Sequence, residues 1–445
     1  MGYLPEKFET NTFSFIEDHS KFFTDLINFF PARWSRIGSD SKKEGKILSQ
    51  IAQELLTALD GQRIINTHCH HLDDSFQNEL NLESLLRNTY VSWCGVDFDE
   101  TVEKRWAYFQ QVRFNSYFHW LEIGLQNLFD LSVPLNESNW ELFDERIKDS
   151  SRDPNHHLDI LKNQCHYEQI LLDAYWAPGS DDGHPELFKP VYRINQFLFG
   201  YSPEAKDHNG NNPFQNYHWP PTIGLAEYLT LMEHQIIEQK KAGCVALKSA
   251  LAYDRGLDFS DPSIVQAQKG FQNPEAGPVE IKAFQDYVFR QFCRIAAEQA
   301  LPLQCHTGLG CLEKTNTLQM KQVIEENPDT QFVLFHGGYP WIQDVCALVH
   351  NYPNVYADLC WLPILSGPSC KSLIREMIEV GTLDRMMWGC DTWTSEESYG
   401  AMIAAKQVLS AVFAEYVDDG YLSFTDAIDF MDHIFYRNPK EMFRL

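Results

Sequence analysis

Short apolar runs alternate along this chain with amphipathic stretches. From about residue 41 to 60, apolar side chains recur at helical spacing (Ile47, Ile51, Leu55, Leu59), and Asp60-Gly61 reads as a helix stop. Residues 63–67 then read as a strand feeding His68. Further short strand-like runs lie at 169–173, 244–248, 301–306, 332–336, 355–359 and 385–391, each closing on polar or glycine residues. Residues 225–242 and 281–300 carry the clearest helical patterns between them. Strands alternating with helices imply parallel βαβ units. The runs fall slightly short of eight, yet a distorted (β/α)8 TIM barrel is the natural closure.

Two segments break the alternation. Residues 74–166 are rich in Trp, Tyr and Leu with a mostly helical pattern, which predicts a helical insertion after the first strand. Residues 177–221 are rich in Pro, Gly and Asn and read as a long loop excursion near the barrel mouth. The expected organisation is therefore an N-terminal helical segment over 1–60 and a barrel over 61–445 that carries both interruptions. No internal repeat or low-complexity tract is evident.

Composition narrows the function classes. Of 445 residues, 44% are hydrophobic and 13% aromatic, which suits a large buried core. With 62 acidic and 36 basic residues the formal net charge is −26, so phosphate backbones and anionic lipid are repelled. The expected partner is a small molecule, not nucleic acid or membrane, and homo-oligomerisation stays open. The N-terminus lacks a basic region followed by an apolar core, and no apolar run is long enough for a bilayer. Eleven cysteines without a CxxC pair favour free thiols, which points to a cytoplasmic setting.

The candidate chemistry sits at the ends of the strand-like runs, where barrel enzymes work. INTHCHHLDD places His68 and His70 two positions apart, on one face of an extended strand. Lys248, His306, His336 and Asp391 end later runs. Imidazoles and a carboxylate make a divalent-metal set, with Zn2+ the best fit and one ion or two. Three readings of Lys248 stay open: a carbamylated bridging ligand, an ammonium for a substrate carboxylate, or a buried ion-pair partner. His71 and Asp73 read as loop residues. Cys69, Cys305 and Cys390 each neighbour an inward residue, so alternation turns them outward to pack as small hydrophobes. Trp361 and Trp393 follow the last two runs and could wall a pocket or pack outside it.

INTHCH, LQCHTG, VLFHGG and WGCDTW, in this order, resemble the amidohydrolase superfamily, specifically its amidohydrolase-related branch, and the closing RNPKEMF is similar to that branch's last helix. The resemblance implies that His68, His70, Asp391 and His306 bind metal. It also implies that His336 contacts substrate or assists catalysis, and that Asp391 serves as general base. The insertion, with SYFHWLEIGLQNLFDLSVPLNESNWELF, resembles the one that follows the first strand in uronate isomerases of the same superfamily. CDTWTSEES stands where those isomerases have an Asp-Ser-Arg pattern, so Arg255 in AYDRG is the alternative holder of a carboxylate, with Lys248 and Trp393 as further substrate contacts. The expected activity is metal-dependent hydrolysis of a small amide, ester or lactone. The alternatives are uronate-type aldose–ketose isomerisation, decarboxylation, or a non-catalytic metal-binding barrel.

Overall fold

Residues 49–445 are described by the structure, a computed structural model; the part of the expected N-terminal segment before residue 49 lies outside the described residues. Helix α1 spans Gln50–Ala58 and is capped by Ser49, whose hydroxyl accepts from the Ala52 N–H. Its buried Ala52 and Leu55 face the main core, and Lys406 Nζ donates to the Leu59 carbonyl at 3.0 Å. Gly61, at φ +71, turns the chain into the first strand.

Eight parallel strands follow in sequence order: β1 Ile64–Cys69, β2 Tyr167–Leu172, β3 Phe188–Arg193, β4 Ala246–Ser249, β5 Leu303–Cys305, β6 Phe332–Leu334, β7 Val355–Asp358 and β8 Met386–Met387. The strands are short and largely buried on both faces, as expected where helices cover a parallel sheet. The barrel closes where β8 returns to β1: Thr67 N–H donates to the Trp388 carbonyl at 3.3 Å and Asp391 N–H to that of His68 at 2.9 Å. Gly389 makes that approach possible, because a Cβ there would lie 2.7 Å from the His68 nitrogen.

Alternation sorts the strand residues as the pattern requires. Ile65, Leu171, Val191, Ala246, Val333 and Met387 fill the interior, plugged from below by Tyr436, Met442 and Phe443. Cys69, Cys305 and Cys390 join the outer layer between strands and helices. Cys390 is also hydrogen-bonded there, receiving Asn66 Nδ2 at 2.9 Å and Thr392 Oγ1 at 3.1 Å.

The expected eighth strand is β3, and it lies inside the 177–221 segment read as a loop excursion. The correction has a local cause. Pro190 interrupts the strand signal, yet β3 pairs with both neighbours, and the Pro190 carbonyl accepts from Val245 N–H at 3.0 Å.

The insertion contains helices α2 Val102–Val112, α3 Ser116–Leu128 and α4 Trp140–Ser151 around their own apolar cluster, with Phe109, Phe143, Leu125 and Trp140 buried. The barrel helices that matter below are α5 Leu225–Lys241, α6 Pro278–Gln299 and α7 Ser395–Asp418. Helix α3 lies directly on α7: Gly124 and Gly400 face each other, and a Cβ on Gly400 would meet the Trp120 carbonyl at 2.5 Å. This contact seats the insertion over the end of β8. Among the described residues no helix is long and apolar enough to cross a membrane.

Candidate metal centre

His68 and His70 leave the end of β1 on one face, with ring centroids 4.8 Å apart. Their Nε2 atoms lie 3.3 and 3.2 Å from Asp391 Oδ1. These three ligand atoms are mutually within 4.8 Å and their residues are buried. A tetrahedral ion with bonds of about 2.0–2.1 Å spaces its ligands about 3.3 Å apart, so the two spacings to Asp391 suit a divalent ion with a further position open. His70 Nδ1–H donates to the Asp173 carbonyl at 2.8 Å, which fixes the tautomer that presents a bare Nε2. Asp391 adopts φ +64, a conformation that costs a non-glycine residue and turns its carboxylate to the ligands.

Electrostatics prepares the donors. Burial, reinforced by the Lys248 ammonium, pushes His68 well below its ordinary value, so it is neutral. Burial pushes the Asp391 carboxyl up, but the imidazoles of His70, His68 and His336 turned toward it outweigh that and hold the group well below the usual carboxylate range. The other oxygen, Oδ2, accepts the Tyr90 hydroxyl at 2.7 Å. Tyr90 belongs to the insertion and lies 301 positions away in sequence.

His306 and His336 form a separate pair. His336 Nε2 and His306 Nδ1 are 2.9 Å apart; His306 Nε2 faces the Leu309 carbonyl, and His336 Nδ1 faces that of Cys360 at 3.0 Å. His306 is thus turned away from the ligand triplet: the loop after β5 folds its Leu309 carbonyl over the ring nitrogen. His336, at φ +63, stands 4.0 Å from Asp391 Oδ2. Each carbonyl needs an N–H facing it, and the bond between the rings needs another. Three protons complete the chain, whereas two neutral imidazoles carry two. Burial lowers both groups, His336 to about 4. The anionic Asp391 opposes that shift and marks where a third proton is balanced.

Lys248 ends β4 with Nζ 3.5 Å from His68 Nε2 and 3.7 Å from the Phe335 ring centroid. Burial lowers it to about 8, against the charges of Asp173 and Asp391. Among the described residues it makes no ion pair within 4.0 Å.

Arg255 is not brought to the centre as a carboxylate holder. Its guanidinium is committed to Asp286 Oδ1 at 2.8 Å, Gln285 Oε1 at 3.2 Å and the Asp258 carbonyl at 3.2 Å, clamping the β4 loop to α6. A second cation beside the centre is Arg193, which sequence reasoning missed together with β3. It grips Asp173 through Nε and NH2, donates NH1 to Asn209 Oδ1 at 2.8 Å, and sits 5.1 Å from the Tyr175 ring centroid. Asp173, at the end of β2, places Oδ2 3.8 Å from His68 Nε2.

Aromatic rings wall the centre. Trp393 stacks on His70 at 5.4 Å, and Trp361, at φ +64, packs 5.2 Å from His336. Tyr90 lies 4.8 Å from both indoles, and the half-exposed Trp93 closes over them. The acids after Trp393 turn away. Glu397 accepts the Tyr90 N–H at 2.7 Å and the Trp393 N–H at 3.3 Å; Glu396 accepts the Ser395 hydroxyl.

Comparison with known proteins agrees with the barrel fold. The chain is 29% identical over 221 residues, 45% of its length, to protein fluG of Emericella nidulans, and spans about a quarter (26%) of that relative. In three dimensions it is similar to a uronate isomerase of Thermotoga maritima (TM-score 0.72, 18% identity, 89% of this chain and 98% of that one). A candidate metal-dependent hydrolase of Lactobacillus casei is similar too (TM-score 0.63, 17% identity, 88% and 97%). Residues 267–445, which hold His306, His336 and Asp391, match the amidohydrolase family model. That match covers β5 to β8 and leaves the His68–His70 pair outside it, and the solved structures share the barrel of parallel strands.

Proposed function

We propose that the protein is a metal-dependent hydrolase acting on a small carbonyl substrate, an amide, ester or lactone, whose flanking groups are apolar or ring-bearing. The observation that carries this reading is the open triplet of His68, His70 and Asp391, roofed by aromatic rings. A divalent cation held there supplies a water of lowered pKa and a Lewis acid for the carbonyl. The chain's own groups manage the proton. Asp391 Oδ2 is the acceptor, aligned by the Tyr90 hydroxyl; His336, whose Nδ1 lies 4.0 Å away, gives its Nδ1 proton to the leaving group and is then reprotonated from Asp391, with His306 hydrogen-bonded behind it. Trp93, Trp361 and Trp393 exclude bulk water and present flat surface to the substrate. Metal-replete protein assayed against a panel of lactones, esters and amides tests the proposal; Asp391→Asn should abolish any turnover found.

Uronate-type isomerisation is the second reading. Arg193 and Lys248 both stand near the triplet, and Glu396 and Glu397 do not repel an anion, since both are turned away. Against it, Arg193 already spends its fork on Asp173 and Asn209, and Trp393 occupies the place where a free guanidinium would hold the sugar acid. Ketose formation from glucuronate or galacturonate would replace the hydrolase reading by this one.

A further inference from the structure

Outside the barrel centre, ionisable side chains from three segments meet where the insertion rejoins the barrel. His157 lies in the short helix His156–Asp159 at the end of the insertion, and Asp74 opens the helix Asp74–Gln77 after β1. His184 and Asp182 come from the connection between β2 and β3. His157 Nε2 stands 3.3 Å and His184 Nε2 3.0 Å from Asp74 Oδ1. His157 is 3% exposed, and among the described residues its Nε2 faces Asp74 without a well-formed hydrogen bond. Asp182 likewise keeps a buried Oδ2 without one. Unpaired polar atoms in such positions are costly unless a further partner completes them.

His71, on the outward side of HCHH, supports His157 from behind. The two rings stack at 5.3 Å, and His71 Nε2 is 3.0 Å from His157 Nδ1. When His157 Nδ1–H donates to His71, His157 Nε2 is left as a bare lone pair aimed at Asp74. This is the outer-contact arrangement that orients metal-binding histidines. Burial lowers His157 to about 4, which keeps it neutral, and burial with the Asp74 and Asp73 charges raises Asp182 to about 6.

We propose that His157, His184, Asp74 and Asp182 form a second divalent-metal site that clamps the helical insertion to the connection between β2 and β3. Two imidazoles and two carboxylates suit a first-row transition cation, Zn2+ foremost. The 3.0 and 3.3 Å spacings approach the tetrahedral ligand spacing of about 3.3 Å. The two imidazoles flank Asp74 and converge less tightly than the barrel triplet, so ion capture draws them together around a carboxylate that is half in solvent. The site is independent of the proposed hydrolysis.

The test is metal stoichiometry on the full chain, stripped with chelator, reloaded with Zn2+ and gel-filtered. The parent is expected to carry one more ion than His184→Ala, and His70→Ala is expected to keep an ion that His70→Ala/His184→Ala loses. His184 is partly exposed, so its removal spares the core; Asp74→Asn, also at the surface, gives a second variant with the same expected loss. His71→Phe should weaken the ion about 10–100-fold in competition with a chromophoric chelator. Zn2+ should raise the Tm of His70→Ala but not of the double variant. Equal metal content in the parent, His184→Ala and Asp74→Asn would overturn the proposal, as would a reloaded His70→Ala that holds none. A barrel centre that binds no metal would sink the hydrolase reading and leave this one standing if the His184-sensitive ion remains.

Discussion

The two sides of the barrel mouth each present a pair of histidines, and they do different things. At β1, His68 and His70 share a strand, face one way, and point bare Nε2 atoms at one carboxylate oxygen. At β5 and β6, His306 and His336 come from neighbouring strands and point at each other, with carbonyls taking the outer nitrogens. Residue type and strand-end position are the same on both sides. The destination of the second ring nitrogen separates a ligand from a proton-holding group: Asp173 takes it for His70 and frees Nε2, whereas Leu309 and Cys360 leave the other pair no free nitrogen.

The strongest way to break this contrast is to exchange its consequences. His70→Ala or Asp391→Asn should empty the barrel centre, whereas His306→Ala should retain its metal; elemental analysis of the three proteins decides, and an emptied His306→Ala centre would erase the distinction. His336→Gln should keep the ion and lose about 10²–10⁴-fold in kcat on whichever substrate the screen identifies, the range for a lost acid–base group. A loss of metal in that variant would move His336 to the ligand side. Tyr90→Phe removes a hydrogen bond to a charged carboxylate, worth about 1.5–3 kcal/mol. Without that donor the Asp391 carboxyl rises, so the acidic limb of the kcat/KM profile should shift to higher pH, with a loss of about tenfold or more on that limb.

The ligand side also has a pH signature. Its His68 and Asp391 are both held below their ordinary values, so both stay deprotonated as the pH falls. Metal content should therefore stay flat from neutral down past the ordinary histidine value of about 6.5, and be lost only at more acid pH. Release beginning near that value would mean that the protein does not depress His68. The smallest effect belongs to Cys69→Ala, between the two ligands but facing outward. It should keep all metal and cost on the order of 1 kcal/mol in urea unfolding; loss of metal there would refute the alternation of β1.

Much of the fold and the ligand triplet was legible because the signals are local. A His-x-His at a strand end needs only the two-residue period, and Asp391 follows an apolar run ending in Trp-Gly-Cys. What stayed hidden is non-local or masked. Pro190, with Gly- and Asn-rich flanks, disguised β3 and took Arg193 with it. Arg255 looked available because its partner, Asp286, lies a helix away on α6. Tyr90 carries no signal in its own segment: its role exists only once α3 rests on α7 and the hydroxyl arrives at Asp391. His306 and His336 could be placed at the mouth from the pattern, but the orientation of their rings depends on carbonyls supplied by loops.

The Tyr90 contact has a consequence for how such a protein diversifies. Its hydroxyl reaches the metal-set carboxylate from the insertion, while Glu397, on α7, holds Tyr90's own backbone N–H. The insertion is therefore wired to the carboxylate that must accept the proton and cannot be traded as an interchangeable cassette. A chimera carrying a relative's insertion without a hydroxyl at this point would inherit a new roof and, with the same stroke, a retuned base. Substrate range and proton affinity are heritable together in this architecture, and selection on either one drags the other.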